Sequence, residues 1–179
     1  MKKMSKYTLF FCISITVIAY STANAEERLN PLSVFGSQSA SQIPGSAHFI
    51  DDEEMKKNDY TDSERILNRI PGIYSQTEDG LGLRTNIGMR GVAAHRSTKI
   101  NILEDGILQG PAVYSNDSMY FFPDVSRMQG IEILKGAAAI GTGPRTTAGS
   151  INFISRQIPT DGSEGHVGFT MGADGFEKD

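Results

Sequence analysis

Residues 131–155, IEILKGAAAIGTGPRTTAGSINFIS, contain two apolar strand candidates separated by a glycine-rich connection. The candidates are residues 131–134 and 150–155. Each is a short run rich in isoleucine and bounded by glycine, which is typical of β-strands that contribute to a core. We therefore predict two strands here, joined by a turn.

The connection between these strands resembles a nucleotide-binding loop only in part. Gly136 and Gly141 have the spacing of the glycines in a phosphate-binding loop, but Thr142 stands where that loop needs its lysine. A dinucleotide site is disfavoured as well, because Thr146 occupies the place of the third glycine that should follow Gly141 and Gly143. The glycines are interpreted as a tight turn.

Further strand candidates lie upstream, at residues 87–89 and 98–103. A long connection of residues 109–119 follows them, and loops of this length in a compact domain are usually functional.

Two short helices are predicted before these strands. Thr61 and Glu64 have the spacing of a capping box, in which each side chain satisfies a free backbone N–H group of the other. The helix presents Ile66, Leu67 and Ile70 on one face and ends at Pro71-Gly72. The acidic run of residues 51–54 suits the first turn of an earlier helix, where carboxylates meet the positive end of the helix dipole. Short helices followed by short strands and many glycine turns predict a turn-rich α+β or β fold.

Composition excludes several classes of protein. The chain has 179 residues, a formal net charge of −4, 39% hydrophobic residues, one cysteine and no tryptophan. This suits one globular domain, and its acidic balance argues against a nucleic-acid-binding protein, which normally carries a basic face for phosphate.

The N-terminus has the pattern of a secretory signal peptide. Lys2, Lys3 and Lys6 precede the apolar run of residues 9–20, and the sequence Ala-Asn-Ala of residues 23–25 is a typical cleavage site. The apolar run is too short for a membrane-spanning helix, which needs about 20 residues. We therefore expect residues 1–25 to be removed on export, and Cys12 with them, so that no disulfide or thiolate remains.

No catalytic or metal-binding motif is present in the sequence. His48, His95 and His166 are far apart and lack the spacing of metal ligands. No serine-nucleophile motif occurs either. We predict that the protein is not an enzyme, that it needs no cofactor or metal, and that an exported hydrolase is the least favoured function.

Two terminal segments leave alternatives open. The apolar island Leu32, Ser33, Val34 and Phe35 can either add a strand to a partner's sheet or pack as a strand on its own domain. Residues 164–173 alternate between apolar and polar, which predicts a strand with one apolar face. That strand either pairs backward onto the domain or begins a longer protein.

Five segments together resemble the plug domain of TonB-dependent outer-membrane receptors. The subgroup closest in sequence pattern is the ferric dicitrate type of siderophore receptor, because MRG (89–91) and FFP (121–123) are also present. The five segments, in chain order, are RIPGI (69–73), NIGMRG (86–91), LEDGI (103–107), IEILKG (131–136) and AGSINFI (148–154).

The resemblance implies an α+β plug with a small mixed β-sheet, short helices and long apical loops. It implies a flexible lead with the TonB box over residues 26–45, the plug over residues 46–158, and the first strand of a transmembrane β-barrel over residues 159–179. The TonB box, the segment that pairs with periplasmic TonB, is assigned to Leu32, Ser33, Val34 and Phe35. We expect an outer-membrane location and a chain that continues into the rest of the barrel.

The resemblance also implies partners and site residues. The partners are TonB with its inner-membrane energising complex, a ferric chelate, and the receptor's own barrel. Loop residues expected to contact the chelate are Arg84, His95, Arg96, Gln109 and Tyr114. Ion pairs between plug and barrel are expected at Arg90, Arg127 and Glu132. The alternative is a free periplasmic plug-like module that binds TonB or a chelate without forming a pore.

Overall fold

The computed structural model describes residues 33–36, 38–57, 63–78, 85–110, 119, 121–163, 165, 167, 169–172 and 175–178. Several sequence predictions lie outside these residues. They are the signal peptide of residues 1–25, the first TonB-box residue Leu32, the capping residue Thr61, and the loop residues Arg84 and Tyr114.

A five-stranded mixed sheet is the centre of the compact unit that runs from Asn30 to Ile158. Its strands are β1 Ser46–Asp51, β4 Ile100–Glu104, β5 Ile107–Gly110, β6 Met128–Lys135 and β7 Gly149–Ser155. In spatial order they are β1, β6, β7, β4 and β5, and neighbours are antiparallel except β4 and β7, which are parallel. The α+β prediction with a small mixed sheet is confirmed.

The two faces of this sheet differ in polarity. Ile131 pairs with Phe153 and Ile133 with Ile151, and all four side chains are fully buried in the main core. Because side chains alternate along a strand, the residues between them point to the opposite face. That second face carries Glu132, which is cross-strand to Asn152, and Leu134, which is cross-strand to Ser150.

Two short helices and a hairpin complete this unit. Helix α1 spans Asp52–Lys56, and Asp51 caps its N-terminus. The Asp51 carboxylate accepts a hydrogen bond from Glu54 N at 2.8 Å, so the acidic run acts as predicted. Helix α2 (Ser63–Leu67) buries Ile66 and Leu67. The hairpin consists of β2 (Ile73–Thr77) and β3 (Thr85–Met89) in antiparallel pairing.

The glycine-rich connection after β6 is longer than the predicted tight turn. It forms a 3₁₀ helix, Gly136–Thr142, entered through a hydrogen bond from Gly136 N to Ala148 O at 2.8 Å. Ala139 is the buried residue of this helix, and its contact with Leu134 explains why the segment lies over the second face of the sheet.

Three strands of the unit Asn30–Ile158 are not predicted from the sequence. Strands β1, β2 and β5 contain few consecutive apolar residues, and tertiary pairing rather than local pattern determines them. One consequence concerns Gln109, which the sequence predicts at the start of a long loop. It lies on β5 instead, and its amide donates to Ile107 O at 3.4 Å.

The second compact unit contains the described residues that follow Pro159. Within the stretch predicted to be a strand, Phe169–Gly172 forms β8 and pairs antiparallel with β9 (Gly175–Lys178). Gly165 and Val167 lie outside the strand. Among the residues described, no helix is both long and apolar enough to cross a membrane.

Candidate functional site

The N-terminal island folds back onto the sheet, but not as a strand. Val34 and Phe35 form bends, and Phe35 is only 8% exposed. Its ring packs with Leu134 and Ala139 and meets Phe49 edge to face, with ring centroids 6.4 Å apart. In this chain the described part of the segment packs on its own domain, with bends in place of the expected extended backbone, and its addition to a partner's sheet stays a prediction.

Glu132 holds this segment from the second face of the sheet. Its carboxylate is 3% exposed, accepts from Val34 N at 2.8 Å and from Asn152 Nδ2 at 2.9 Å, and also accepts from the Ser33 hydroxyl. No basic side chain among the described residues forms an ion pair with it. The plug-to-barrel ion pair expected at Glu132 stays a prediction, and within this chain the buried carboxylate already uses both oxygens as acceptors.

The other two predicted ion-pair residues are closer to the surface. Arg127 Nη2 lies 3.1 Å from Glu104 Oε1, so its guanidinium already has an internal partner. Arg90 is exposed in a left-handed conformation, with a φ of 53°. Its guanidinium lies against Gly136, where a larger residue would collide with it.

A buried lysine stands beside Arg90. Lys135 Nζ donates to Pro71 O at 2.8 Å, and Lys135 is 7% exposed. Burial lowers the pKa of Lys135, and the positive charge of Arg90 lowers this pKa further. Two cations thus meet at the end of β6, a position that favours a negatively charged neighbour.

The lowered pKa of Lys135 makes the free energy of unfolding depend on pH in the alkaline range. Its pKa in the folded chain lies below the ordinary 10.5, so the unfolded chain binds the proton more tightly. The free energy of unfolding should therefore rise as pH increases through the lowered pKa toward 10.5. Denaturant unfolding across this window should show the rise in the wild type and a smaller rise in Arg90→Gln. The same rise in Lys135→Met would contradict the assignment.

The turn that carries His95 and Arg96 is strained and closely held. His95–Ser97 is a 3₁₀ turn in which Arg96 and Ser97 both have left-handed φ values, 52° and 51°. Such backbone costs about 1–3 kcal/mol per residue and occurs often at functional sites. Asn86 Oδ1 accepts from Arg96 N at 2.7 Å, and Arg96 O accepts from Met119 N at 2.9 Å.

Arg96 is also engaged through its side chain. Its Nη1 lies 2.7 Å from Glu78 Oε2, and both side chains are about three-quarters covered. His95 is exposed next to this pair. The structure therefore places the acidic residue Glu78 beside the turn that carries two predicted ligand residues. Asn152 is not predicted from the sequence, since only the strand register shows that it faces Glu132.

Ser97 fixes this turn to the hairpin. Its hydroxyl is fully buried, accepts from Ile87 N at 2.9 Å and donates to Thr85 O at 3.4 Å. Ser97→Ala leaves the buried Ile87 N–H without its acceptor, so we expect the free energy of unfolding to fall by about 1–3 kcal/mol. Urea unfolding measures this. Ser126→Ala is the control, because the Ser126 side chain is exposed and its change should cost less than about 0.5 kcal/mol.

No metal-binding arrangement accompanies these residues. Within the described part of the chain, no group of three His, Cys, Asp or Glu side chains is placed to hold a metal ion.

A family model and several solved structures are similar to this chain. The family model described as TonB-dependent Receptor Plug Domain matches residues 39–150. The ferric citrate transporter FecA, in its unliganded form, is 27% identical with a TM-score of 0.62, and the match covers 79% of this chain and 22% of that one.

Two further structures share the fold. The siderophore receptor PirA from Acinetobacter baumannii is 22% identical with a TM-score of 0.52, covering 67% of this chain and 18% of its own. The ferric yersiniabactin uptake receptor FyuA from Yersinia pestis is 22% identical with a TM-score of 0.52, covering 68% and 18%. The chain thus spans about a fifth of the length of these relatives, which are a transporter and receptors rather than enzymes.

Proposed function

Because the chain belongs to the family of TonB-dependent receptor plug domains, we propose that it serves as the plug of an outer-membrane receptor that imports an iron chelate into the periplasm. The match covers most of the five-stranded sheet and both short helices. The named relatives transport ferric citrate or bind siderophores, and this supports a ferric chelate as the ligand class.

The observation that carries the proposal is the position of Ser33, Val34 and Phe35. With Leu32 they form the proposed TonB box, immediately before the matched domain. Hydrogen bonds from Ser33 and Val34 to Glu132 and the packing of the Phe35 ring hold this short segment to the sheet, and no regular secondary structure of its own would oppose its release. A released segment of this kind can add to the edge of a partner's sheet through main-chain hydrogen bonds.

The proposed chelate-binding residues remain Arg84, His95, Arg96, Gln109 and Tyr114. Arg96 and His95 have geometric support, because the strained turn presents them beside each other and a guanidinium suits an anionic chelate. For ion pairs with a barrel wall, Arg90, Arg127 and Glu132 remain proposed. The domain limits proposed are residues 26–45, 46–158 and 159–179.

The test is isothermal titration of the exported chain with the periplasmic C-terminal domain of TonB. We expect saturable binding by the wild type and none by a variant in which residues 32–35 are deleted. The variant must first show the same cooperative thermal unfolding as the wild type. Equal binding by both chains would contradict the TonB-box assignment, and no binding by a cooperatively folded wild type would contradict the TonB-dependent function.

A further inference from the structure

We propose that Glu132 and Asn152 form a latch that keeps the N-terminal segment on the domain, and that the latch and TonB compete for the same N–H group, that of Val34. This inference rests on the proposed function for its partner, but the latch itself is a property of this chain alone. The latch is defined as Ser33, Val34, Glu132 and Asn152.

The polar part of the latch is concentrated on one carboxylate. Oε2 of Glu132 accepts from Val34 N at 2.8 Å and from Asn152 Nδ2 at 2.9 Å, while Oε1 accepts from the Ser33 hydroxyl. Hydrogen bonds to an ionised acceptor are about twice as strong as neutral ones, and burial strengthens them further. Glu132 therefore accepts both hydrogen bonds that Ser33 and Val34 donate to the sheet.

The apolar part lies on the next residue. Phe35 packs with Leu134, which follows Glu132 by two positions and points to the same face of β6. Adjacent residues of the segment thus bind to adjacent same-face residues of one central strand. This match of spacing holds the segment in one register on the sheet.

The closed latch and partner binding exclude each other at Val34. A main-chain N–H donates to one acceptor, and strand addition requires main-chain donors and acceptors along the added segment. While Val34 N donates to Glu132, it is not available to a TonB strand. The apparent affinity for TonB is then the intrinsic affinity reduced by the fraction of chains whose latch is open.

Asn152 positions the carboxylate. Its Nδ2 donates to Glu132, and its Oδ1 accepts from Gly106 N at 2.8 Å. Gly106 belongs to the turn between β4 and β5, so the amide of Asn152 connects that turn to the latch across β7. Because Asn152 acts on Val34 through the Glu132 carboxylate, we assign it a positioning role.

Amide hydrogen exchange in the exported chain tests the latch without any partner. We expect the Val34 amide to be protected in the wild type and about tenfold or more less protected in Glu132→Met, which removes both acceptor oxygens but keeps a long buried side chain. Glu104→Met is the matched control. It makes the same chemical change on β4, where the carboxylate pairs with Arg127, and should leave Val34 protection unchanged.

Two milder variants keep the test valid if Glu132→Met does not fold. Ser33→Ala removes two hydrogen bonds from a half-buried position, the one its hydroxyl donates to Glu132 and the one it accepts from Phe35 N at 3.1 Å, and should lower Val34 protection severalfold. Asn152→Leu should lower protection of both Val34 and Gly106 amides, a paired change that general destabilisation does not produce. An unprotected Val34 amide in the wild type, or protection unaffected by these variants in folded chains, would overturn the latch.

Titration of the same variants with the TonB C-terminal domain tests the competition. Each variant should gain affinity for TonB by the factor by which its Val34 protection falls. Reduced protection with unchanged TonB affinity would overturn the competition. If no chain binds TonB, the proposed function fails, and the exchange data still decide whether the latch exists.

Discussion

Replacing Gly149 with alanine is expected to lower the free energy of unfolding by about 3 kcal/mol, the upper end of the usual cost of overpacking. Gly149 is the first residue of β7 and lies directly across from Lys135 on β6. A Cβ atom there would overlap Leu134 O, and it would lie 2.7 Å from Met89 Sδ and 3.2 Å from Lys135 Cα. The two backbone atoms belong to the central strand β6 and cannot move without breaking its pairing.

Equilibrium urea unfolding is the measurement for Gly149→Ala, with Gly141→Ala as the matched control. An added Cβ at Gly141 meets no atom within 4 Å, so this variant should differ from the wild type by less than about 0.5 kcal/mol. If the two variants have equal stability, the close packing of β7 against β6 described here is incorrect.

Strands with concentrated apolar residues could be predicted from the sequence, and those without could not. Residues 131–134 and 150–155 fall within β6 and β7. The prediction holds because isoleucine and phenylalanine at alternate positions indicate a strand with one face in the core. Strand β1 reads Ser-Ala-His-Phe-Ile-Asp, with one fully buried side chain, Ile50. Its pairing with β6 determines its conformation, and pairing across about 80 positions leaves no local pattern.

The candidate site follows the same division. Alternation in Ile131-Glu132-Ile133 already places Glu132 on the face opposite the core. What covers that face could not be predicted, because Ser33 and Val34 lie about a hundred positions away in the chain. The sequence therefore predicts an ion pair between Glu132 and a cation outside the domain. In the structure, the Val34 main chain and the Ser33 hydroxyl donate hydrogen bonds to the same carboxylate.

The same limit applies to the His95–Ser97 turn. The sequence suggests His95 and Arg96 as loop residues, since histidine and arginine suit an anionic ligand. Neither the left-handed backbone nor the ion pair with Glu78 has a local signature. Ser97 combines a buried hydroxyl with a left-handed backbone conformation, whose cost the surrounding hydrogen bonds must offset. The sequence pattern shows neither property.

Replacing Val34 with proline is expected to reduce affinity for the TonB C-terminal domain by about tenfold to a hundredfold. Proline has no N–H group, so it cannot donate to a partner strand, and a strand interior excludes it. The substitution has a second, opposing effect, because it also removes the hydrogen bond to Glu132 and opens the latch. We expect the loss of pairing to dominate, since an open latch cannot help a segment that cannot pair.

Val34→Thr separates these effects, and both variants are measured by isothermal titration. Threonine keeps the N–H group and the β-branched shape, so its affinity should stay within about threefold of the wild type. Val34 is half-buried, and neither change creates a cavity in the main core, so both chains should unfold cooperatively. If folded Val34→Pro binds TonB as well as Val34→Thr does, the Val34 N–H is not part of the paired segment. The opposite result would show that one main-chain donor serves the latch in the closed chain and TonB in the open one.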